Sequence, residues 1–384
     1  MSENIPITVG VWAKRTTGWG KVSEIRTWTD LTLEPRHLQP GTWSLRMPYD
    51  SQAARLTERH LLTFDFRGTR MTGVIEKLSP QSDETGKPRL EVSGSDAMAL
   101  LGDVLCWPVP SAALTAQAEA YYDAANGPGE TRLREIIVAN MITRRGDDVV
   151  VPASRGRGGP VGFHQRFTNL LTVVQAKAES AGLGVRMGLT NTTSSTRAAM
   201  TVEFYVPTDR SNRVRLSHKV GTLRSWKHES TVPTGTRVIV GGGGVGASRL
   251  FYLGISAAAE TEWARKREMF VDARDTSDVP TLAERSTEAL LEAAAQSAFE
   301  LDSVEAEGMR YGIHYGLGDL VTVELLTGVS KVDRLGGVKV SASLDAGMTV
   351  QLVPGNPDAI NPMFAMAATV KGIRRQVTAL QRGL

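Results

Sequence analysis

The stretch Thr236 to Tyr252, TRVIVGGGGVGASRLFY, holds Gly241, Gly243 and Gly246 in the spacing G-x-G-x-x-G directly after an apolar, β-branched run. In a dinucleotide site such a loop must open a helix, because the pyrophosphate is held by the free amides of a helix N-terminus. Here the next residues, Ala-Ser-Arg-Leu-Phe-Tyr-Leu-Gly-Ile, crowd aromatic and β-branched side chains together and place Gly254 inside the second turn of any helix. They predict a strand. Glu260 and Glu262 stand at about the distance where a ribose-binding acid is sought, but no second strand of a βαβ unit ends there. The stretch therefore predicts a glycine-rich turn between two strands, with Gly241 to Gly244 supplying positive φ or close backbone approach, and no nucleotide.

Other chemistry finds less support. His37, His60, His164, His218, His228 and His314 are scattered, with no H-E-x-x-H and no close carboxylate at helical spacing, so no metal site is expected. Asp272, Asp275 and Asp278 recur every three residues, whereas calcium loops place ligands at alternate positions around a glycine. They read as acids at a helix start, favoured by the helix dipole. Arg155 to Gly159, RGRGG, is a single copy of a pattern that RNA-binding segments repeat, so no specific nucleic acid is expected. Cys106 lies in Leu-Cys-Trp-Pro, an apolar setting that raises a thiol pKa, and no serine sits in G-x-S-x-G. These residues predict no enzyme and no cofactor.

The 384 residues suffice for two or three domains, and 41% hydrophobic with 22% charged residues is a globular composition. The formal charge is only +3 and its signs are interleaved, so a pI near 9.0 does not indicate a nucleic-acid groove. A single cysteine excludes an internal disulfide and fits a reducing compartment. The start, MSENIPITVGVWAKR, shows no secretory pattern, and no apolar run approaches the ~18 to 20 residues that span a bilayer. Synthesis in the cytoplasm without a membrane anchor is expected.

The elements that must carry these residues follow from periodicity. From Ile5 to about Leu90 short alternating strands such as HLLTFDFRG and PRLEVSG predict a meander closing towards a barrel or small sandwich. Gly94, Ser95 and Asp96 end it, with Ser95 or Asp96 capping a short helix through Ala97, Leu100 and Leu101. Asn126 to Gly129 reads as a turn, followed by helical spacing at Leu133, Ile136, Ile137 and Met141, and again from Phe167 to Ala178 until Gly182. Strands are expected at Gly184 to Met187 and Met200 to Tyr205, with an exposed loop between Thr190 and Arg197. A long helix is expected from Thr281 to Phe299, opened by a capping box of Thr281 and Glu284. Strands return at Leu320 to Leu325, Gly337 to Ser341 and Met348 to Val353.

The final segment starts at Asn361-Pro362, an N-cap with proline at the first helical position. Met363, Met366, Val370, Ile373, Val377, Leu380 and Leu384 then step by three and four residues through three heptads, the a/d seam of a coiled coil. An amphipathic helix docked on its own domain gives the same spacing, and the sequence leaves both open.

Several stretches, in order, resemble the tail-hub or minor tail proteins of long-tailed, non-contractile phages, a family similar at a distance to the trimeric baseplate hub of contractile-tailed phages. They are LEVSGSDAMALLGDVLCWPVP, GPGETRLREIIVANM, the RGRGG loop before RFTNLLTVVQAKAESAGLGVRM, REMFVDARD before the alanine-rich helix, and YGIHYGLGDLVTVE. The resemblance covers about Thr42 to Val353. It implies two barrel-like β domains similar to tail-tube subunits; with the α/β insertions and the C-terminal helix read from the residues, the chain is expected to be α+β and multi-domain. With the strand pattern it places a first barrel in 1–105, an α/β insertion in 106–215, a second barrel in 216–355 with the helix 281–299 inserted, and the helix in 356–384. Gly318 and Asp319 become the turn opening a strand of the second barrel, and Gly94, Ser95 and Asp96 the strand-to-helix turn of the first. The implied assembly is a homotrimer in a virion, put together in the host cytoplasm. A distal tail protein or tube ring lies above it, tip or fibre proteins lie below, and the tape-measure protein is a further partner.

Two rival functions remain at this level. The seven tryptophans and the exposed loops also suit a carbohydrate- or receptor-binding tail module, which would expose Trp12, Trp19, Trp28 and Trp43 where a hub buries most of them. The glycine stretch alone suits a nucleotide-binding enzyme.

Overall fold

The computed structural model describes residues 7–82, 86–192, 194–295, 297–326, 328–345 and 347–356, and strands dominate it. Two large sheets face each other across one core. The first, of seven strands, runs in the order Gly184–Asn191, Arg197–Tyr205, Trp19–Ile25, Ile7–Lys14, His60–Phe66 and Thr69–Val74, with the short Val149–Val150 beside Arg197–Tyr205. Period-two alternation decides its inner face: Ile7, Val9 and Val11 lie opposite Phe66, Phe64 and Leu62, and all six are buried.

The second sheet, of eight strands, runs Arg215–Leu216, Leu320–Leu326, Val329–Ser343, Asp30–Glu34, Thr42–Pro48, Pro88–Ser95 and Lys77–Ser82. Gly347–Pro354 joins the second half of the long strand Val329–Ser343. Leu31, Leu33, Leu45, Met47, Leu90 and Val92 face the first sheet, and the rings of Trp43 and Phe64 meet across the core at 5.2 Å between centroids. Strands from both ends of the chain thus share one sheet, through the pairing of Val340 to Ser343 with Asp30 to Leu33. The sheets cut across the ranges 1–105 and 216–355.

Neither large sheet closes into a barrel by a backbone ladder. The outer strands of the first, Thr69–Val74 and Gly184–Asn191, meet through side chains instead: Leu189 N donates to Thr72 Oγ1 at 2.8 Å and Arg70 Nη1 to Asn191 Oδ1 at 2.7 Å. Two large β-sheets are present, and neither closes into one of the expected barrels. Thr72 and Arg70 occupy the seam with side chains, so closure lacks a register of paired amides.

The outer side of the first sheet is covered by α1 (Gly129–Ile137) and α2 (Leu170–Ser180) and by the 3-10 helix Ala97–Asp103, around Leu101, Leu133, Ile136, Leu170 and Val174. α1 continues as a π-helical turn through Val138–Thr143. Of the expected turn, Asn126 to Pro128 instead end strand Tyr122–Pro128, which pairs with Pro160–Gln165, and Gly129 opens α1. Pairing from a distant segment overrides local turn propensity there.

A smaller unit is inserted between the paired strands Leu223–Ser230 and Ser297–Ser303, its neck closed by Thr234 N donating to Ala293 O at 2.8 Å. It holds the three-stranded sheet Phe251–Ile255, Arg237–Gly241 and Glu268–Asp272, with a short helix α3 (Ala257–Trp263) and a longer α4 (Val279–Glu292). The expected helix 281–299 is therefore shorter at its end. Phe299 belongs to a strand, fully buried with its ring 4.5 Å from that of His228, and this packing outweighs the helix propensity of the alanines. The cap also differs: Asp278, not Thr281, accepts from Thr281 N at 3.0 Å, with Pro280 in the first turn. Residues 357–384, with the seam Met363, Met366, Val370, Ile373, Val377, Leu380 and Leu384, lie outside the described residues.

Candidate functional site

The glycine stretch forms a hairpin connection. Gly241 ends one strand, Phe251 begins the antiparallel next, and between them stands only the three-residue 3-10 turn Gly246–Ser248. No α-helix opens there, so the amides are not gathered at a helix terminus. Gly244 has φ +108° and Gly246 φ +57°, conformations that a side chain rarely adopts. At Gly241 an added methyl would lie 2.6 Å from the Arg249 guanidinium and 2.7 Å from Phe270. Arg249 fills the turn itself, donating to the carbonyl of Gly241 at 2.9 Å and of Gly242 at 3.1 Å.

The turn at Gly94, Ser95 and Asp96 is a crossing point of backbones. Gly94 and Ser95 end strand Pro88–Ser95, and Asp96 caps the 3-10 helix, its carboxylate accepting from Met98 N at 3.0 Å and Gly41 N at 2.9 Å. Ser95 Oγ donates to Glu76, and Trp43 Nε1 donates to Ser95 O at 3.0 Å. Burial pushes the Asp96 carboxyl up to about 7, against the two amide donors and Arg36, which favour the charged form.

Gly318 and Asp319 pin the start of strand Leu320–Leu326 to two other segments. Gly318 has φ +84°, and its Cα faces the His37 ring. Asp319 accepts from Thr208 N at 2.7 Å and from Gly316 N at 2.9 Å, while Arg334 donates to Gly318 O at 2.8 Å. His37 Nδ1 meets Tyr205 Oη at 2.9 Å, and burial, with Arg334 nearby, lowers its pKa to about 4. A neutral imidazole there is a structural contact. Nothing aligns it with a nucleophile.

The remaining candidates resolve into structural pairs. Arg157 of the RGRGG loop forks onto Glu130 at 2.8 Å through Nε and Nη2, and its hydrogen bonds hold that carboxyl down at about 2. Its guanidinium is therefore committed. Cys106 is fully buried and its thiol is pushed up to about 12 by desolvation. Asp272 pairs with Arg249, and Asp275 with Arg285 at 2.5 Å. Among the described residues no group of histidine, cysteine and acids is placed to hold a metal ion.

Sequence reading did not find the junction between the inserted unit and the rest of the chain. Lys177, on the buried stripe of α2, reaches Glu284 at 2.8 Å and Glu288 at 2.9 Å on α4. Beside it His164, stacked on Tyr121 at 3.8 Å, contacts Asp123 at 2.5 Å and Asp275 at 3.3 Å. Desolvation lowers the His164 pKa, but the two carboxylates win and the net shift is upward. The available signal was a lysine at an apolar position of a helix, after Leu170, Val173 and Val174.

Two wide clefts open on the large sheets. One, about 1670 Å³, is lined by Glu24, Arg26, Arg67, Glu305 and Arg310 among others, and Arg26 pairs with Glu24 and Arg67 with Glu305. The other, about 850 Å³, contains Arg70, Arg186 and Tyr205, with Arg70 on Asp65 and Arg186 on Glu203. These ion pairs tie the chain's own side chains to one another along each wall. Trp12, Trp28 and Trp43 are buried and Trp19 is half-buried.

Comparison with known proteins gives a family and a fold. Residues 8–356 match the Siphovirus ReqiPepy6 Gp37-like protein family. The fold is similar to that of the prophage MuSo2 43 kDa tail protein from Shewanella oneidensis, with TM-score 0.58 at 15% identity over 92% of this chain and 100% of that one. It is also similar to a tail protein from Neisseria meningitidis MC58, with TM-score 0.54 at 14% identity over 91% and 97%. Prophage tail protein gp18 from Listeria monocytogenes EGD-e gives TM-score 0.53 at 13% identity over 94% and 99%. No curated protein matches the chain. With a match that spans nearly the whole length, the chain belongs to the Siphovirus ReqiPepy6 Gp37-like protein family, and its fold is that of phage tail proteins.

Proposed function

We propose that this protein is a structural component of a siphophage tail tip, a homotrimeric hub that joins the sixfold tail tube to the threefold tip. The observation that supports the reading is the two large β-sheets built by one chain, packed face to face and sharing a core from residue 7 to residue 352. In the hub reading each chain supplies two tube-like units, so three chains match a sixfold ring, which is the symmetry step such a hub performs. The distal tail protein or tube ring binds on one side, tip or fibre proteins on the other, and the tape-measure protein reaches the lumen.

The chemistry of the site supports a scaffold over an enzyme, since the turns at Gly241 and Gly318 are filled by the chain's own side chains and the turn at Gly94 by its own backbone. The burial of Trp12, Trp28 and Trp43 supports a hub over a receptor-binding module. Light scattering at micromolar concentration tests the assembly. The expected mass is three times the chain's 41.5 kDa, and a monomer both alone and with its tube partner sinks the hub reading.

A further inference from the structure

The inserted unit has one covered face and one open face. In its three-stranded sheet, Val238 and Val240 point inward onto Leu282 and Ala289, with Val271 and Tyr252 beside them. The opposite face carries Ile239 at its centre, directly across from Leu253 on one side and Phe270 on the other. Phe251, Leu253, Ile255 and Phe270 are exposed by 60%, 50%, 46% and 54%. This is a contiguous apolar patch, which soluble monomers seldom show unless it binds something.

The cations beside the patch are already committed. Arg249 lies 5.6 Å from the Phe251 ring and 5.4 Å from the Phe270 ring, held by Asp272 and the turn carbonyls, and Arg237 is held by Glu260. A nucleic acid would need free cations, and a sugar would need free hydrogen-bonding groups between its stacking rings. An apolar protein surface needs neither. A charge-poor apolar centre with paired ions at its rim is the anatomy of a homo-oligomer contact.

We infer that the outer face of this sheet, centred on Ile239, Leu253 and Phe270, is a contact between copies of this chain. The inference rests on the trimer reading above and assigns that trimer one of its surfaces. Three strands of five residues span roughly 17 Å by 10 Å, well short of the ~800 Å² per partner of a stable contact. The face is therefore the dry centre of a larger interface whose remainder comes from neighbouring surface. In a closed threefold ring it meets a different surface of the next copy.

The test is the mass of the full chain carrying Leu253→Glu and Phe270→Glu, beside wild type and beside Leu344→Glu, an exposed apolar position in the turn that follows strand Val329–Ser343. Circular dichroism and tryptophan fluorescence check that the fold is kept. If wild type and Leu344→Glu are trimers and the double variant is a monomer, its association weakened by about 30-fold or more, the inference stands. A trimeric double variant overturns the inference and leaves the trimer reading in place. A monomeric wild type, alone and with its tube partner, removes both. Should the double variant misfold, Leu253→Ser replaces it and is read in the same way.

Discussion

Gly94→Ala tests whether the crossing of strands at residues 94 to 96 is a backbone contact that only glycine permits. The methyl group would be driven into the carbonyl oxygen of Val74 and would lie 3.0 Å from Glu76 N and 3.1 Å from the Val74 carbonyl carbon. All three atoms are main chain, so no rotamer change relieves them. Restoring ordinary separation moves the two segments apart by on the order of 1 Å. That displacement strains Glu76 N→Ser93 O at 3.0 Å and Trp43 Nε1→Ser95 O at 3.0 Å. Overpacking of this kind costs about 1–3 kcal/mol, and weakening two hydrogen bonds adds roughly 1 kcal/mol. The stiffer unfolded chain returns about 0.5 kcal/mol, which leaves a net loss of about 1.5–3.5 kcal/mol. Urea unfolding followed by tryptophan fluorescence measures it, since Trp43 sits at the contact. Gly102→Ala is the control, its methyl 3.7 Å from Leu171 in open contact. If the Gly94→Ala midpoint matches that of Gly102→Ala, the steric argument is wrong.

Three further outcomes follow from the same reasoning. Gly244→Ala, with φ +108° and a methyl 2.5 Å from Ser248 O, is expected to lower stability by about 2 kcal/mol, whereas Gly243→Ala meets only the rotatable Ser277 hydroxyl and is expected to cost less than 1 kcal/mol; equal losses in thermal unfolding would count against this ranking. Lys177→Met leaves Glu284 and Glu288 facing each other, 20% and 29% exposed, and is expected to cost about 1–3 kcal/mol, of which adding Glu284→Gln recovers at least half in a double-mutant cycle. His164, with its folded pKa raised, contributes stability that is fully present below its unfolded pKa of about 6.5 and is lost as pH rises through the folded value; the gap between wild type and His164→Gln should be wider at pH 5.5 than at pH 8.5, and a gap independent of pH refutes the role of Asp123 and Asp275.

Local readings held where a residue's neighbours along the chain decide its conformation. The strand through Leu62, Phe64 and Phe66, the end of α2 at Gly182 with φ +67°, the cap at Asp96 and the hairpin at Gly241 to Gly246 depend on side-chain period, on positive φ or on a hydrogen bond between near neighbours, which a single sequence displays. The strand after Gly246 came from the same source, because its aromatic and β-branched residues favour extended backbone. Tertiary structure alone decided which strands share a sheet. Asp30–Glu34 pairs with Val340 to Ser343 across some 300 residues, and no local period records a partner so distant. It also ended α4 at Glu292, because Phe299 is worth more buried beside His228 than alanines are in another turn of helix. The ion cluster of Lys177, Glu284 and Glu288 joins side chains 107 and more positions apart, and its attraction exists only once two helices are brought together.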